Sequence, residues 1–128
     1  MKFKTPRGFE FEIPDDWWAC ADMKEFVRGD CMQYPCNATG RVEIVSIADI
    51  EPPTRSQGIP FFKKYKLVPI LLAFHSPECA LPPVTVQKPN ALAETRFRYK
   101  VHNGFHRYYA SIAVGFTSLP VIVIEEIP

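Results

Sequence analysis

Hydrophobic and polar residues alternate in short runs along much of the chain, a pattern typical of β-strands with one buried face. Near the N-terminus, residues 9–13 alternate phenylalanine or isoleucine with glutamate. A second short run at residues 2–5 is separated from them by Pro6-Arg7-Gly8, so the two runs predict a β-hairpin. The acidic pair after Pro14 then indicates the start of a helix over residues 17–26, since acidic side chains are favourable at that end of the helix dipole.

The middle of the chain predicts a strand, a helical block and a second strand. Residues 41–47 alternate in a way that indicates a largely buried strand. The apolar block at residues 59–74 begins with Pro60, which suits a first helical turn. Pro69 lies inside this block and removes a backbone donor, so we expect a kink or two short helices. Residues 84–87 follow two prolines and predict a short strand.

The last third of the chain has the clearest pattern. Residues 96–101 alternate basic with apolar side chains, which predicts a strand with one basic face. Residues 102–104 form a turn, and residues 106–114 have apolar positions at helical spacing. Gly115 stands where a C-terminal cap belongs, and the β-branched run at residues 119–124 predicts a final strand. The predicted order is strand, turn, helix, strand.

Length and composition predict one soluble domain. The chain has 128 residues, of which 47% are apolar and 23% are charged, as in ordinary globular domains. No apolar run approaches the ~20 residues that span a bilayer. The first residues are charged but have no apolar core behind them, so no signal peptide is predicted. We therefore expect a cytoplasmic protein that does not associate with a membrane.

The cysteines, Cys20, Cys31, Cys36 and Cys79, are irregularly spaced and include no Cys-x-x-Cys pair. In a reducing cytosol the favoured interpretation is four free thiols, some of them buried. A zinc site built from the first three and a histidine is the alternative, but zinc ligands usually occur as close pairs. The spacing therefore predicts no metal site.

The small net charge of +1 conceals an asymmetry. Residues 1–50 carry six basic and nine acidic side chains, whereas residues 51–128 carry nine basic and five acidic ones. This imbalance is too mild for a general nucleic-acid binder, whose surface usually has a strong basic stripe. It is compatible with a local anion site in the second half, where Lys63, Lys64 and Lys66 offer either phosphate contacts or a solvated helix face.

The turn at Gly104 is the best candidate for such a site. A helix that begins directly after a strand presents backbone N–H groups and a positive dipole end to an anion. Gly104 allows a ligand to approach the main chain closely, Arg107 can donate two hydrogen bonds to phosphate, and His106 can donate or transfer a proton. On pattern alone, a solvated arginine and a surface histidine are the more common explanation.

Residues 102–116, followed by residues 119–123, resemble the signature of the ParB/sulfiredoxin superfamily. In that superfamily a strand leads into a glycine, a variable residue, a histidine or arginine and then an arginine, which open a helix. That helix ends at a glycine, and a proline-containing strand follows. Residues 42–55 resemble the first conserved box of the superfamily, and residues 67–86 resemble the helix and strand between the boxes.

The resemblance implies an α+β domain with a mixed sheet and helices packed around it. Its core would cover residues 41–126, and residues 1–40 would add a hairpin and a helix to the same single domain, where they could mediate a homodimer. Nucleotide binding is what the superfamily implies, with ATP or CTP as the candidate ligand and Mg²⁺ as a candidate ion. The residues that would bind the nucleotide and its phosphates are Asn103, Gly104, Phe105, His106, Arg107 and Arg55.

The chain departs from the family pattern at two positions. Phe105 occupies the place of the catalytic cysteine of sulfiredoxins and of a glutamate in ParB proteins, which argues against sulfinic acid reduction and against ParB-type CTP hydrolysis. Asn103 replaces an aspartate that stand-alone enzymes of the superfamily often have. The chain stops two residues after Glu126 without a helix-turn-helix, so nucleic acid is a weaker candidate partner than a nucleotide.

The sequence leaves two classes of function open. One is an enzyme that hydrolyses nucleotides, transfers phosphate or cleaves nucleic acid, with His106, Asp49 and Glu51 as the candidate catalytic residues. Both carboxylates are equally well explained as solvated acids at a strand end. The other class is a non-catalytic module, either a nucleotide-gated interaction domain or a small effector or inhibitor.

Overall fold

The computed structural model describes residues 2–22, 33–36, 41–54, 61–74, 81–89 and 97–124. Within these ranges the chain forms a two-stranded antiparallel sheet, a five-stranded mixed sheet and three α-helices. The predicted α+β class with a mixed sheet is therefore confirmed. No helix in the described part of the chain is long and apolar enough to cross a membrane.

The elements follow one another as short strands separated by three helices. In chain order they are β1 (Lys2–Lys4), β2 (Glu10–Glu12), α1 (Asp15–Cys20), β3 (Glu43–Ser46), a 3₁₀ turn (Ile47–Asp49), β4 (Ile50–Glu51), α2 (Lys64–Phe74), β5 (Val84–Gln87), β6 (Tyr99–Asn103), α3 (Phe105–Ala113) and β7 (Ser118–Ile124).

The five-stranded sheet has the order β3-β7-β5-β6-β4. The β5–β7 and β4–β6 pairs are parallel, and the β3–β7 and β5–β6 pairs are antiparallel. The centre of the sheet is the most apolar part, because Val84 and Val86 of β5 and Leu119 and Val121 of β7 are fully buried. This central pair positions α3, which lies between β6 and β7 in the chain.

The N-terminal hairpin is confirmed. β1 and β2 pair antiparallel, and the turn between them contains Gly8 at φ +96°. Phe11 and Ile13 are buried as the alternation predicts, whereas Phe9 remains 39% exposed. The predicted helix after Pro14 is present but ends at Cys20, and the remainder of its predicted range, from residue 23 onward, lies outside the described residues.

The prediction that residues 41–47 form a largely buried strand is wrong. β3 covers only Glu43–Ser46, and its residues are mostly exposed; Ile44 keeps 53% of its surface accessible. The reason is its place in the sheet, because β3 pairs with β7 on one side and is an edge strand. The alternation therefore predicted a β-strand correctly, but it did not predict how much of that strand is buried, because an edge strand has a neighbour on one side only.

Of the two outcomes expected at Pro69, a kink or two short helices, the division into two helices is wrong. α2 runs without interruption from Lys64 to Phe74 and contains Pro69. Pro69 has no N–H to donate to the carbonyl of Tyr65, four residues before it. Both residues are exposed. Water can satisfy a carbonyl on the exposed side of a helix, so the helix continues through this position. Pro60 lies outside the described residues.

The predicted order of strand, turn, helix and strand in the last third is confirmed, but His102 and Asn103, predicted in the turn, belong to strand β6. Gly115 ends α3 in a left-handed conformation at φ +93°. Pro120 lies in β7 opposite Ile44 of β3. The Ile47 N–H donates to the Thr117 carbonyl, so Ile47 and Thr117 form a hydrogen-bonded pair. Hydrogen-bonded and non-hydrogen-bonded pairs alternate along an antiparallel ladder, so Ile44 and Pro120 are a non-hydrogen-bonded pair. The Pro120 nitrogen therefore faces β5 and not β3. The pairing of β7 with β5 begins only at Val121, so the missing N–H of Pro120 costs no sheet hydrogen bond.

A group of aromatic side chains holds α3 against the hairpin and the start of α2. We call it the aromatic cluster; its members are Phe11, Phe61, Phe62, Phe105 and Tyr109. The Tyr109 ring lies at its centre, with ring centroids at 4.8 Å from Phe11, 5.1 Å from Phe61 and 5.4 Å from Phe62. Its hydroxyl donates to the carbonyl of Pro53 at 2.5 Å. The cluster thereby fixes the first turns of α3.

Candidate functional site

The turn from β6 into α3 requires glycine at position 104. Gly104 is buried and adopts φ +130°, a conformation that L-residues with a side chain rarely adopt. A Cβ atom at this position would lie 2.8 Å from Cγ1 of Val84 in the neighbouring strand β5. The absence of a side chain therefore lets the N-terminus of α3 lie directly against the centre of the sheet.

A cavity of about 530 Å³ opens beside this turn. Its lining combines the end of β6, the start of α3, one side of α2 and the segment after β4. The lining residues are Pro53, Thr54, Lys66, Ile70, Val101 and residues 102–107. The cavity therefore brings together all the motif residues that the sequence predicted, from Asn103 to Arg107.

The charges around the cavity favour an anion. Lys66 and Arg107 lie in its lining, and none of the described lining residues is acidic. The N-terminus of α3 contributes the positive end of its dipole to the same wall. Of the three lysines that the sequence singled out, Lys66 lines the cavity, whereas Lys64 forms an ion pair with Asp16 at 3.7 Å.

One wall of the cavity is apolar. Ile70, Val101 and Phe105 contribute this wall. The Phe105 ring is half-buried and is held by the aromatic cluster, with centroids 5.2 Å from Phe61 and 5.1 Å from Tyr109. Apolar and cationic surfaces thus meet in one space, which suits a ligand that has both a ring system and negative charge.

Arg107 is held in place by backbone carbonyls. Its Nη1 donates to the carbonyl of Pro82 at 2.7 Å and to that of Pro83 at 3.0 Å. These bonds use Nη1, and the guanidinium has further N–H donors on Nε and Nη2. Arg107 is half-buried and lines the cavity, so it is not the fully solvated arginine that the pattern alone made the more common explanation.

His106 is a buried side chain that accepts a hydrogen bond. The backbone N–H of Lys63 donates to its Nε2 at 3.0 Å, and the residue is only 6% exposed. A ring nitrogen that accepts is unprotonated, so this contact selects the neutral imidazole with its proton on Nδ1. The alternative of a surface histidine is wrong, and the bond shows that His106 ties α3 to the start of α2.

The two candidate carboxylates lie on or just before β4, the edge strand that pairs with β6. Oδ2 of Asp49 is 3.8 Å from Nη1 of Arg98, and its backbone carbonyl accepts from the Arg98 N–H at 2.8 Å. Glu51 lies in β4 opposite Lys100 of β6. Neither carboxylate is among the described residues that line the cavity, and Arg55 lies outside the described residues.

Three tyrosines of the core are fully buried. Burial raises the pKa of the Tyr34 hydroxyl well above its usual value, and the positive charge of Arg107 opposes part of that rise. Burial also raises the pKa values of Tyr108 and Tyr109. All three hydroxyls are therefore protonated and neutral throughout the physiological pH range.

Tyr34 is the residue near the site that sequence reasoning missed. Its hydroxyl donates to the Pro82 carbonyl at 2.7 Å, the same carbonyl that accepts from Arg107. A single tyrosine between segments without periodicity gives no signal of such a contact, because the two partners are 48 residues apart.

Two of the four cysteines lie in the described part of the chain. Cys20 is an exposed free thiol and Cys36 a half-buried one; Cys31 and Cys79 lie outside the described residues. Across the ranges that the structure describes, no three histidine, cysteine, aspartate or glutamate side chains are grouped so that they could hold a metal ion.

No protein-family model matches this chain, and no curated protein matches it. The relation to the ParB/sulfiredoxin superfamily therefore stays a prediction from the motif at residues 102–116 and from the order of the segments before it.

Proposed function

We propose that this protein binds the phosphates of a nucleotide in the cavity beside Gly104. The observation that carries the proposal is the combination in one cavity of a helix N-terminus, the two cationic side chains of Lys66 and Arg107, and no acidic side chain among the described lining residues. A volume of about 530 Å³ lies within the range of small-molecule sites. A cationic site of this size suits a nucleotide better than it suits a lone phosphate.

The phosphates would lie against the Gly104 turn. Backbone N–H groups at a helix start and the helix dipole attract phosphate oxygens. Lys66 would add a point charge from α2, and Arg107 would donate from the first turn of α3. His106 would act indirectly in this arrangement, because its Nε2 accepts from Lys63 and thereby holds α2 next to the turn.

The base would lie against the apolar wall of Ile70, Val101 and Phe105. An aromatic ring offers a face for stacking, which is tolerant of base identity. Asn103 and Thr54 line the same cavity and are the polar side chains able to read the edge of a base or a ribose. ATP and CTP are the ligands that the family resemblance favours.

The proposed fold family is ParB/sulfiredoxin-like. In support, a strand leads through Gly104 directly into α3, α3 ends at a left-handed Gly115, and β7, with its proline, follows. The mixed sheet with α2 and α3 fits the same family. The coarse architecture is shared by other α+β folds, so the motif carries the family assignment.

Non-catalytic binding is the form of this function that the geometry favours. Phosphoryl transfer usually needs a carboxylate near the phosphate to hold Mg²⁺ or to orient the nucleophile. Among the described residues, Asp49 is engaged with Arg98 and does not line the cavity. The enzymatic alternatives, nucleotide hydrolysis, phosphotransfer and nucleic-acid cleavage, would depend on Glu51 approaching the cavity from β4.

Calorimetric titration with ATP, CTP and GTP, each with and without Mg²⁺, tests the proposal. We expect saturable binding of at least one nucleotide by the wild-type protein. Lys66→Ala should weaken that binding roughly tenfold, because it removes a charged contact to phosphate. Lys64→Ala is the matched control, since Lys64 belongs to the same helix and pairs with Asp16 outside the cavity lining.

The same samples separate binding from catalysis. Phosphate release and plasmid nicking should stay at background for the non-catalytic module, and release that disappears in Glu51→Gln would instead establish the enzyme. Absence of binding for all three nucleotides would refute the proposed function. Equal weakening by Lys66→Ala and Lys64→Ala would place the binding site elsewhere.

A further inference from the structure

The guanidinium of Arg107 is anchored from the side of β5. Nη1 donates to the carbonyls of Pro82 and Pro83, the two residues that precede β5. The Pro82 carbonyl also accepts from the Tyr34 hydroxyl at 2.7 Å. A carbonyl oxygen has two lone pairs, so both donors can be satisfied at once. The position of Arg107 therefore depends on a carbonyl that Tyr34 holds.

Tyr34 is itself held firmly. Its side chain is 1% exposed, and its ring stacks on Phe74 with centroids 5.6 Å apart and an interplanar angle of 21°. The backbone after Tyr34 also contacts the segment before β5. The N–H of Leu81 donates to the Pro35 carbonyl at 3.0 Å, and Cys36 forms a β-bridge with Leu81. We call residues 34–36 together with residues 81–83 the proline clamp.

We propose that Tyr34 is a positioning residue for Arg107, and that anion binding in the cavity is coupled to the proline clamp through Arg107. This inference rests on the proposed function. A free arginine side chain loses about 1 kcal/mol or more of rotamer entropy when a ligand orders it. The proline carbonyls restrict that freedom before the ligand arrives, so the protein binds the anion more tightly.

The coupling must act in both directions. If the clamp strengthens anion binding by holding Arg107, then a bound anion strengthens the clamp by the same factor. An anion that holds the guanidinium keeps Nη1 on the two proline carbonyls and opposes local opening of the segment. The Leu81 N–H, which bonds within the clamp, should then exchange with solvent more slowly.

The first test compares two tyrosine variants with pyrophosphate as the probe. Tyr34→Phe keeps the stacked ring but removes the hydroxyl, and should weaken pyrophosphate binding about fivefold, the effect of one neutral hydrogen bond. Tyr108→Phe is the matched control. Its hydroxyl is equally buried and has no hydrogen-bond partner in the described part of the chain, so affinity should be unchanged.

The second test measures hydrogen exchange at the Leu81 amide. In the wild-type protein, saturating pyrophosphate should slow this exchange about fivefold, and in Tyr34→Phe it should not. A merely structural Tyr34 would lower stability in the variant but leave the protection by pyrophosphate intact. That result, or equal affinity of Tyr34→Phe and wild type, would overturn the positioning role.

A third measurement, without ligand, separates this inference from the proposed function. Arg107→Gln should speed Leu81 exchange relative to the wild type, because the glutamine cannot reach both proline carbonyls. Unchanged exchange refutes the clamp whatever the protein binds. Faster exchange in a protein that binds neither pyrophosphate nor any of the three nucleotides would support the clamp as a structural contact, while overturning both the proposed function and the coupling.

Discussion

At the scale of single residues, the chemistry near the turn depends on contacts that the motif does not reveal. Gly104 is required because of Val84 on a neighbouring strand as well as because of its own φ angle. His106 accepts a backbone hydrogen bond and Arg107 donates to two carbonyls. Residues that the motif suggests as free phosphate ligands therefore also make contacts that hold the turn and α3 in place.

Replacing Gly104 with alanine should destabilise the protein by about 2 kcal/mol or more, because the Cβ atom would overlap Val84 and adopt a disfavoured φ. Gly8→Ala is the control, since Gly8 also has a positive φ but no atom within 4 Å of a built Cβ. It should cost only about 1 kcal/mol. Urea denaturation measures both, and equal losses would contradict the packing argument.

At the scale of elements, burial was harder to predict than secondary structure. β3 has the alternation of a strand but lies at the sheet edge, whereas β5, which is only four residues long, lies at its centre. α2 tolerates Pro69 because that residue is on the exposed side. In each case, neighbours from distant parts of the chain decided the outcome.

Pro69→Ala should stabilise the protein by about 2 kcal/mol. Proline in a helix interior is about 3 kcal/mol less favourable than alanine, and the greater flexibility of the unfolded alanine chain offsets less than 1 kcal/mol of that gain. Thermal and urea denaturation of the variant measure the difference. A loss of stability would instead mean that the packing of Leu67 and Phe74 against the core needs the proline in α2.

At the scale of the whole molecule, the core is unusual in its buried tyrosines. Tyr34, Tyr108 and Tyr109 are each almost fully buried, and burial raises the pKa of each. The folded state therefore keeps these groups protonated at pH values where the unfolded chain loses their protons. Global stability is linked to pH through that difference.

Stability should be independent of these tyrosines below pH ~10, the ordinary tyrosine pKa, and should fall above it. The sign follows because the unfolded state then binds fewer protons than the folded state. Three such groups give a slope of about 2 kcal/mol per pH unit at pH ~10, which approaches about 4 kcal/mol per pH unit as the unfolded tyrosines become fully deprotonated. Denaturant unfolding between pH 9 and pH 11 measures it. Tyr108→Phe should reduce the slope by about one third, and an unchanged slope would contradict the assignment.

The sequence by itself determined the α+β class, the N-terminal hairpin and the strand, turn, helix and strand around Gly104. These features depend on local periodicity, on turn residues and on helix caps, which are properties of neighbouring positions. It also placed a turn at residues 102–104 directly before the helix, because a turn is local.

Only the tertiary structure decided which surfaces meet. In the folded chain Lys66 and Ile70 of α2 line the same cavity as the Gly104 turn, and Asp49 pairs with Arg98 outside the cavity lining. Tyr34 donates to the Pro82 carbonyl, which also accepts from Arg107. Such contacts follow from strand order and helix packing across long sequence separations. Local patterns do not encode them, because each contact depends on where the rest of the chain places its partner.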